Sequence, residues 1–301
     1  MPVGLKGMAG RRHDQGMSML RHAWILVLPV AGLFAQDTSP ARGVNFYSIE
    51  KEQALGVQLA KEYRRNVTVI EDATVKTYLD DLGQRLAAKA QGPAFTYCFE
   101  LVSDGGIVLN EPVAFPGGLV FVPTSLIRAA KSEDELAGML AHAIEHIAAR
   151  HGTKQATREE IVNQATIPLI YMGGWSGNAI RQGTELALPL GFLKFHRQAE
   201  LQADTLAVPT MAAAGHDPRA LVNYMERALP ADAAPPSAMS ALPGREVRLN
   251  ALRKAVESVP ANTYPPHDGF AAIQQAVARL DVKPAKVPPR LAPHMAPHLA
   301  R

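Results

Sequence analysis

Apolar residues recur with the period of an α-helix along most of the chain, with charged and polar residues between them. Over residues 72–90 this pattern places Leu79, Leu82 and Leu86 on one face, and Asp72 stands where a helix-capping side chain is expected. The same pattern predicts helices over residues 48–65, 196–214, 217–228, 244–258 and 269–280. We therefore expect a mainly helical domain.

Three short apolar runs interrupt the helical pattern near the middle of the chain, over residues 96–103, 107–114 and 118–123. Glycine-containing turns separate them, at Asp104-Gly105-Gly106 and at Pro116-Gly117-Gly118. Short apolar runs between such turns are typical of β-strands. The predicted fold class is therefore α+β, with a small, mostly antiparallel edge sheet beside the helices.

A further helix carries the most distinctive polar residues of the chain. It is predicted to open at Ser132, with Glu135 completing a capping box, and to run to about Arg150. His142 and His146 are four residues apart on it, so they lie on one face, about 40° apart around the axis. Two imidazoles at that spacing can bind one Zn²⁺ ion. The segment is a candidate zinc site, with one ion per chain.

This helix lacks the carboxylate that the metallopeptidase motif H-E-x-x-H places directly after its first histidine. In that motif the Glu removes a proton from the attacking water, and here the position is Ala143. The carboxylate inside the motif is Glu145, on the opposite flank, about 80° from the midline between the two histidines. Two interpretations of Glu145 stay open: a displaced general base, or an ordinary polar residue on a partly buried helix.

A later segment offers a third ligand. It reads His196-Arg197-Gln198-Ala199-Glu200-Leu201-Gln202-Ala203-Asp204 and is followed by Ala214-Gly215-His216-Asp217-Pro218. With the histidine pair and the Pro-Gly-Gly turn, these segments make residues 48–255 resemble a known family. It is the gluzincin metallopeptidase family of the CAAX prenyl protease, HtpX and BepA type, here with a degenerate H-A-x-x-H motif.

The resemblance implies a zincin-like metallopeptidase domain whose small sheet packs on the helix that carries the histidines. The metal ligands that it implies are His142, His146 and Glu200. It also implies that Asp204 contacts and orients the first histidine without itself binding the metal. The edge strand is implied to receive a polypeptide by strand addition, and its residues are Val113, Ala114 and Phe115. Two core histidines and a salt-bridged surface glutamate are the alternative interpretation.

The sequence departs from the family pattern at three places. Ala143 replaces the general base, and Leu242 stands where the family's S-T-H-P loop has its histidine. Glu111-Pro112 replaces the usual Asn-Ala before the turn. Because two polar groups near the metal are lost, a weakened enzyme is favoured over a fully active one.

The N-terminus has the character of an export signal. Four basic residues precede an apolar run over residues 23–35, which is short for a membrane-spanning helix. We expect export to the periplasm or cell envelope, with cleavage near Ala35 or retention of the segment as a membrane-associated anchor. The metallopeptidase domain then covers residues 36–282, and the Pro- and Ala-rich residues 283–301 form a disordered tail.

Charge divides the chain in the same way. The chain has 31 basic residues (Lys and Arg) and 28 acidic residues (Asp and Glu). The first 35 residues contain four of the basic residues and one of the acidic residues, so 27 basic and 27 acidic residues remain. The neutral domain has no basic stripe with interleaved aromatic residues, which argues against a nucleic-acid partner. Cys98 is the single cysteine, so an internal disulfide is excluded, and a buried strand position is expected.

Three functions are compatible with these residues. The first is a zinc metalloendopeptidase that cleaves polypeptides in the cell envelope. The second is a pseudopeptidase that binds a peptide strand and acts as a chaperone-like partner. The third is a structural domain with an empty site. An apolar patch over residues 167–175 is too short to span a bilayer and belongs either to the core or to a membrane-facing loop.

Overall fold

A computed structural model describes residues 43–103, 111–160, 196–229 and 242–280. Within these ranges the chain forms nine helices and three strands. The first half contains α1 (Ile49–Asn66), α2 (Ala73–Ala87), β1 (Cys98–Val102), β2 (Val113–Phe115), β3 (Leu119–Pro123), α3 (Thr124–Ala129) and α4 (Glu133–Ala148). The second half contains α5 (151–160), α6 (196–213), α7 (Arg219–Ala228), α8 (Arg245–Ser258) and α9 (Phe270–Arg279).

Polar side chains start three of these helices. Ser48 begins α1, Asp72 begins α2 and Ser132 begins α4, and each accepts a hydrogen bond from a backbone N–H in the first turn. The predicted capping box takes a modified form. Glu135 accepts from the backbone N–H of Lys131, at 2.6 Å, one residue before the usual position.

The sheet is mixed, in the order β1-β3-β2. β2 and β3 are antiparallel across the Pro116–Gly118 turn, whereas β1 pairs with β3 in parallel, with Cys98 opposite Leu119. The α+β class is confirmed, but the sheet is not mostly antiparallel. The tight turn forces β2 to one side of β3, so β1 pairs along the other side and runs in the same direction. Of the strand predicted over 107–114, residues 107–110 lie outside the described residues.

Helix α4 lies at the centre of the core. All of its residues are buried except Asp134 and His146, and it packs against α2, α7 and β2. From α2, the predicted stripe of Leu79, Leu82 and Leu86 is fully buried in the same cluster. A helix that is apolar on nearly all sides is held in place by its neighbours, so its polar side chains have fixed surroundings.

The connection from α4 to α5 is a sharp change of direction at Arg150. Its φ of 59° is left-handed, which no other non-glycine residue adopts in the described ranges. The guanidinium donates to Glu52 and to the carbonyl oxygen of Tyr47, both at 2.6 Å. The N-terminal part of the domain therefore holds this turn in place.

Other predictions have mixed outcomes. Cys98 is half-buried rather than buried, because the alternation along β1 turns Phe99 and Leu101 into the core instead. The export signal, the apolar patch over 167–175 and the tail over 283–301 lie outside the described residues. Within the described part, none of the helices is both long and apolar enough to cross a membrane.

Because α1 packs closely on the turn before β3, we predict that replacing Gly56 lowers the stability of the domain. A Cβ atom added at Gly56 would lie 1.7 Å from the carbonyl oxygen of Pro116, so α1 and the turn must separate. We expect Gly56→Ala to lower the free energy of unfolding by about 1–3 kcal/mol in urea denaturation. The matched control is Gly152→Ala on α5, where the nearest atom is an ordinary contact at 3.5 Å. Equal stability of the two variants would contradict this packing.

Candidate metal centre

Helices α4 and α6 bring the three predicted ligands together. Nε2 of His142 lies 3.2 Å from Nε2 of His146. The carboxylate of Glu200 faces both, with one oxygen 3.7 Å from His142 and the other 3.6 Å from His146. His142 and Glu200 are buried and His146 is partly buried. The alternative interpretation, in which Glu200 is a surface residue, therefore does not describe its position.

The spacing of these atoms fits a tetrahedral metal ion. Zinc binds imidazole nitrogen and carboxylate oxygen at about 2.0–2.2 Å, which puts two tetrahedral ligand atoms about 3.3 Å apart. The two Nε2 atoms are 3.2 Å apart, and each lies 3.6 or 3.7 Å from a different oxygen of Glu200, within a few tenths of that value. The donor set, two imidazoles and one carboxylate with a fourth position left for another ligand, is also that of a zinc site with open coordination.

Asp204 stands behind His142, as the resemblance implies. Its Oδ1 lies 2.9 Å from Nδ1 of His142, although the N–H is poorly aligned for a hydrogen bond. Arg248 donates to both oxygens of this carboxylate, at 2.7 and 2.8 Å. The negative charge beside Nδ1 favours the tautomer that leaves the Nε2 lone pair directed toward Glu200 and His146.

Electrostatics within this group agree with that arrangement. Burial would raise the pKa of Asp204, but the hydrogen bonds from Arg248 and the nearby His142 imidazole outweigh it and lower the pKa. Burial would lower the pKa of His142, and the Asp204 carboxylate reverses this and raises it. Asp204 is therefore charged, and it can stabilise positive charge on or beyond the imidazole.

His146 is oriented by a second chain of contacts. Its Nδ1 lies 3.1 Å from Nδ1 of His151, and Nε2 of His151 lies 3.0 Å from the side-chain oxygen of Gln202. Burial lowers the pKa of His151 to about 4, so this ring is neutral and has one N–H. If that N–H donates to Gln202, Nδ1 of His151 accepts from His146, and the Nε2 lone pair of His146 faces the ligand group.

His151 and Gln202 were missed in the sequence. His151 lies five residues after His146, and Gln202 lies between Glu200 and Asp204. Spacing alone did not distinguish them from solvent-facing residues, because the left-handed Arg150 redirects the chain just before His151.

Ala143 and Glu145 occupy opposite flanks of α4, and both are buried. Oε1 of Glu145 accepts from the hydroxyl of Thr210 at 2.5 Å, and Oε2 has no hydrogen-bond partner. Burial raises the pKa of this carboxyl to about 7. Thr210 is ten residues from Glu200 on α6, about 15 Å along the helix, so Glu145 points away from the carboxylate of Glu200.

The predicted edge strand is at the edge of the described sheet. Val113, Ala114 and Phe115 form β2, which pairs with β3 on one side and packs on α4. Just before it, Glu111 lies 3.4 Å from Arg248, the residue that holds Asp204. Leu242, where the family has a histidine, is 47% exposed.

Comparisons with known proteins agree with this architecture. The profile of Peptidase family M48 matches residues 73–256. The beta-barrel assembly-enhancing protease of Yersinia pestis is 29% identical over 265 residues, covering 82% of this chain and 52% of that protein. The protein of the same name from Escherichia coli K12 is 28% identical over 216 residues, covering 66% and 43%.

A more distant relative is the mitochondrial metalloendopeptidase OMA1 of Schizosaccharomyces pombe. It is 30% identical over 125 residues, which cover 40% of this chain and 36% of that protein. The chain spans about half the length of these beta-barrel assembly-enhancing proteases. Since the family profile covers more than half of the chain and the residues of a metal-dependent site lie together within it, the chain belongs to peptidase family M48.

Proposed function

We propose that this chain is an exported, zinc-dependent metallopeptidase-family protein that binds or cleaves polypeptide in the cell envelope, with hydrolysis weakened by the loss of its general base. One observation carries the proposal. One donor atom from each of His142, His146 and Glu200 lies within 4.8 Å of the other two, close enough to share a zinc ion, while the adjacent position 143 has only a methyl group. Metal binding and proton transfer are thus separable in this molecule.

Each residue of the site has a distinct part in this proposal. His142, His146 and Glu200 would hold the ion, and Asp204 and His151 would orient the two imidazoles. A bound zinc ion supplies Lewis acidity toward a carbonyl oxygen and lowers the pKa of water. Ala143 cannot accept the proton that the attacking water must lose. Glu145 has a suitable pKa, but its contact with Thr210 directs it elsewhere, and geometry comes before pKa for a general base.

A polypeptide is the ligand that the sheet edge favours. β2 has one strand neighbour in the described sheet, so its other side can pair with an extended chain. β2 also contacts α4, which supports a position for such a strand beside the helix that carries His142 and His146. The names of the relatives, a protease and a metalloendopeptidase, agree with this class of ligand.

A second candidate is an inactive pseudopeptidase that binds peptide and acts as a chaperone-like envelope protein. The same Ala143 supports it, because loss of a general base costs about 10²–10⁴-fold in rate. Both candidates require a bound metal and a peptide-binding edge, and they differ only in turnover. The third possibility is a structural domain with an empty site. Measuring the metal content distinguishes it from the other two.

The metal site is tested first. We expect the protein, purified without chelator and dialysed against metal-free buffer, to retain about one zinc per chain by elemental analysis, because three donors, two of them buried and one partly buried, converge. Glu200→Gln should lose this zinc while circular dichroism shows the helical fold retained. Dialysed wild-type protein with no stoichiometric zinc would exclude the first two functions.

Variants of His151 test whether this residue supports zinc binding through its contact with His146. His151→Phe removes the acceptor of the His146 N–H and should weaken zinc affinity by about 10–100-fold in chelator competition. His151→Asn, whose side-chain oxygen can replace Nδ1, should retain affinity within a few-fold. Equal weakening in both variants would show that His151 acts by packing alone.

Catalysis is tested by restoring the base. We expect Ala143→Glu to cleave unfolded polypeptide at least about 100-fold faster than wild type, the low end for a general base. Ala143→Gln is the matched control, since it has the same size at this buried position but cannot accept the proton. Zinc content and thermal stability of both variants are measured in parallel.

Two outcomes would contradict this assignment of roles. The first is equal activity of Ala143→Glu and Ala143→Gln with zinc bound in both. The second is a fully active wild type whose activity is abolished by Glu145→Gln without loss of zinc, which would make Glu145 the base.

Export is tested separately. We expect expression of the full chain in a Gram-negative host to yield a periplasmic form whose N-terminal sequence begins near Gln36, because a short apolar run follows the basic residues. Replacing Leu26 and Leu28 in that run by Arg should retain the protein in the cytoplasm. An intact N-terminus in the membrane fraction would instead indicate an anchor, and cytoplasmic wild type would contradict export.

A further inference from the structure

A second group of possible metal ligands lies at the opposite end of α4. Glu133 and Asp134 are in its first turn, His216 precedes α7 and His267 precedes α9. A donor atom from each of Glu133, His216 and His267 lies within 4.8 Å of the other two. Glu133 is nine residues before His142, about 13 Å along the helix, so this group is distinct from the site already described.

His216 is the residue that points to a ligand. It is fully buried, and its Nδ1 is 2.8 Å from Oδ1 of Asp134. Its Nε2 is also buried and has no hydrogen-bond partner. A carboxylate on one nitrogen with the other nitrogen free is the usual arrangement of an imidazole that binds a metal.

His267 completes the group from another part of the chain. Its ring lies 4.3 Å from that of His216, measured between centroids. Nδ1 is 3.5 Å from Oε1 of Glu133, and Nε2 is 3.3 Å from Oδ1 of Asp134. Because its side chain is 23% exposed, it can rotate by the small amount needed to direct one nitrogen to a shared ion.

Glu133 already has two donors on its carboxylate. The hydroxyl of Tyr78 donates to Oε2 at 2.8 Å, and Arg85 donates to Oε1 at 3.2 Å. An ionised carboxylate has about four acceptor positions, so a lone pair remains for a metal. The positive charge of Arg85 opposes a second cation, but its side chain is 53% exposed and can move aside. A cavity of about 310 Å³, lined by Tyr78, Arg85, Glu133 and His267, gives access from solvent.

We propose that Glu133, His216 and His267 form a second site for a divalent transition metal of the zinc class, with Asp134 orienting His216. Imidazole nitrogen selects such ions over Mg²⁺ and Ca²⁺, which prefer oxygen ligands alone. The ligands come from three separate segments, so the ion joins the start of α4 to the segments before α7 and α9. Its role is structural, since it fixes the end of the helix opposite to His142 and His146.

Titration with Zn²⁺ tests the site. Wild-type protein dialysed against metal-free buffer is titrated by calorimetry, and we expect one further equivalent to bind and to raise the melting temperature. His267→Gln should weaken this equivalent at least about 10-fold and leave the retained zinc unchanged. Asp134→Asn should weaken it by about 10–100-fold through His216, whereas Arg85→Gln should strengthen it by removing a competing cation.

Controls separate this site from other histidines and from the first metal centre. His294→Gln/His298→Gln, in the Ala-Pro-His repeats near the C-terminus, should bind the further equivalent like wild type. Glu200→Gln should lose the retained zinc yet keep the further one, so failure of one site does not imply failure of the other. No further equivalent in wild type, or one unaffected by His267→Gln, would overturn the proposal.

Discussion

The buried ion pair between Arg248 and Asp204 is the interaction on which the arrangement of the candidate metal centre depends. Both side chains are almost completely excluded from solvent, and the guanidinium contacts both oxygens of the carboxylate. A buried pair of this kind contributes little net stability, but removal of one partner leaves an uncompensated charge in the core. Because Asp204 also contacts His142, the pair fixes α8 against α6 and α4 together. The orientation of His142 is therefore a property of three helices.

In the function proposed above, the site combines a complete set of metal donors with an incomplete set of catalytic groups. Metal affinity depends on where lone pairs point, and two independent contacts, Asp204 to His142 and His151 to His146, control this. Proton transfer depends on one carboxylate at one position, and a single substitution to alanine removes it. A molecule can therefore lose turnover without losing the architecture that binds a metal and a peptide. Its membership of a peptidase family establishes the architecture and leaves turnover to be measured.

Much of this structure could be predicted from local patterns in the sequence. Helical spacing located α1, α2, α4 and α6 within a few residues, and the motifs identified the three donors that the fold brings together. The parallel pairing of β1 with β3 could not be predicted, because it depends on which side of β3 the hairpin occupies. The contact of His151 with His146 was missed because it depends on the backbone of Arg150. In both of these cases a long-range contact, rather than a local preference, decides the conformation.

The left-handed turn at Arg150 has a consequence for how the domain opens. Its guanidinium is held by Glu52 of α1 and by the carbonyl of Tyr47 just before it, while the next residue, His151, supports a candidate ligand. Fraying of α1 would release the turn, and the imidazole of His151, which contacts His146, would then be free to move. Amide hydrogens of α1 and of the α4–α5 junction should then exchange with solvent as one cooperative unit, although they are about 100 residues apart in the chain. The candidate metal centre can be no more rigid than α1.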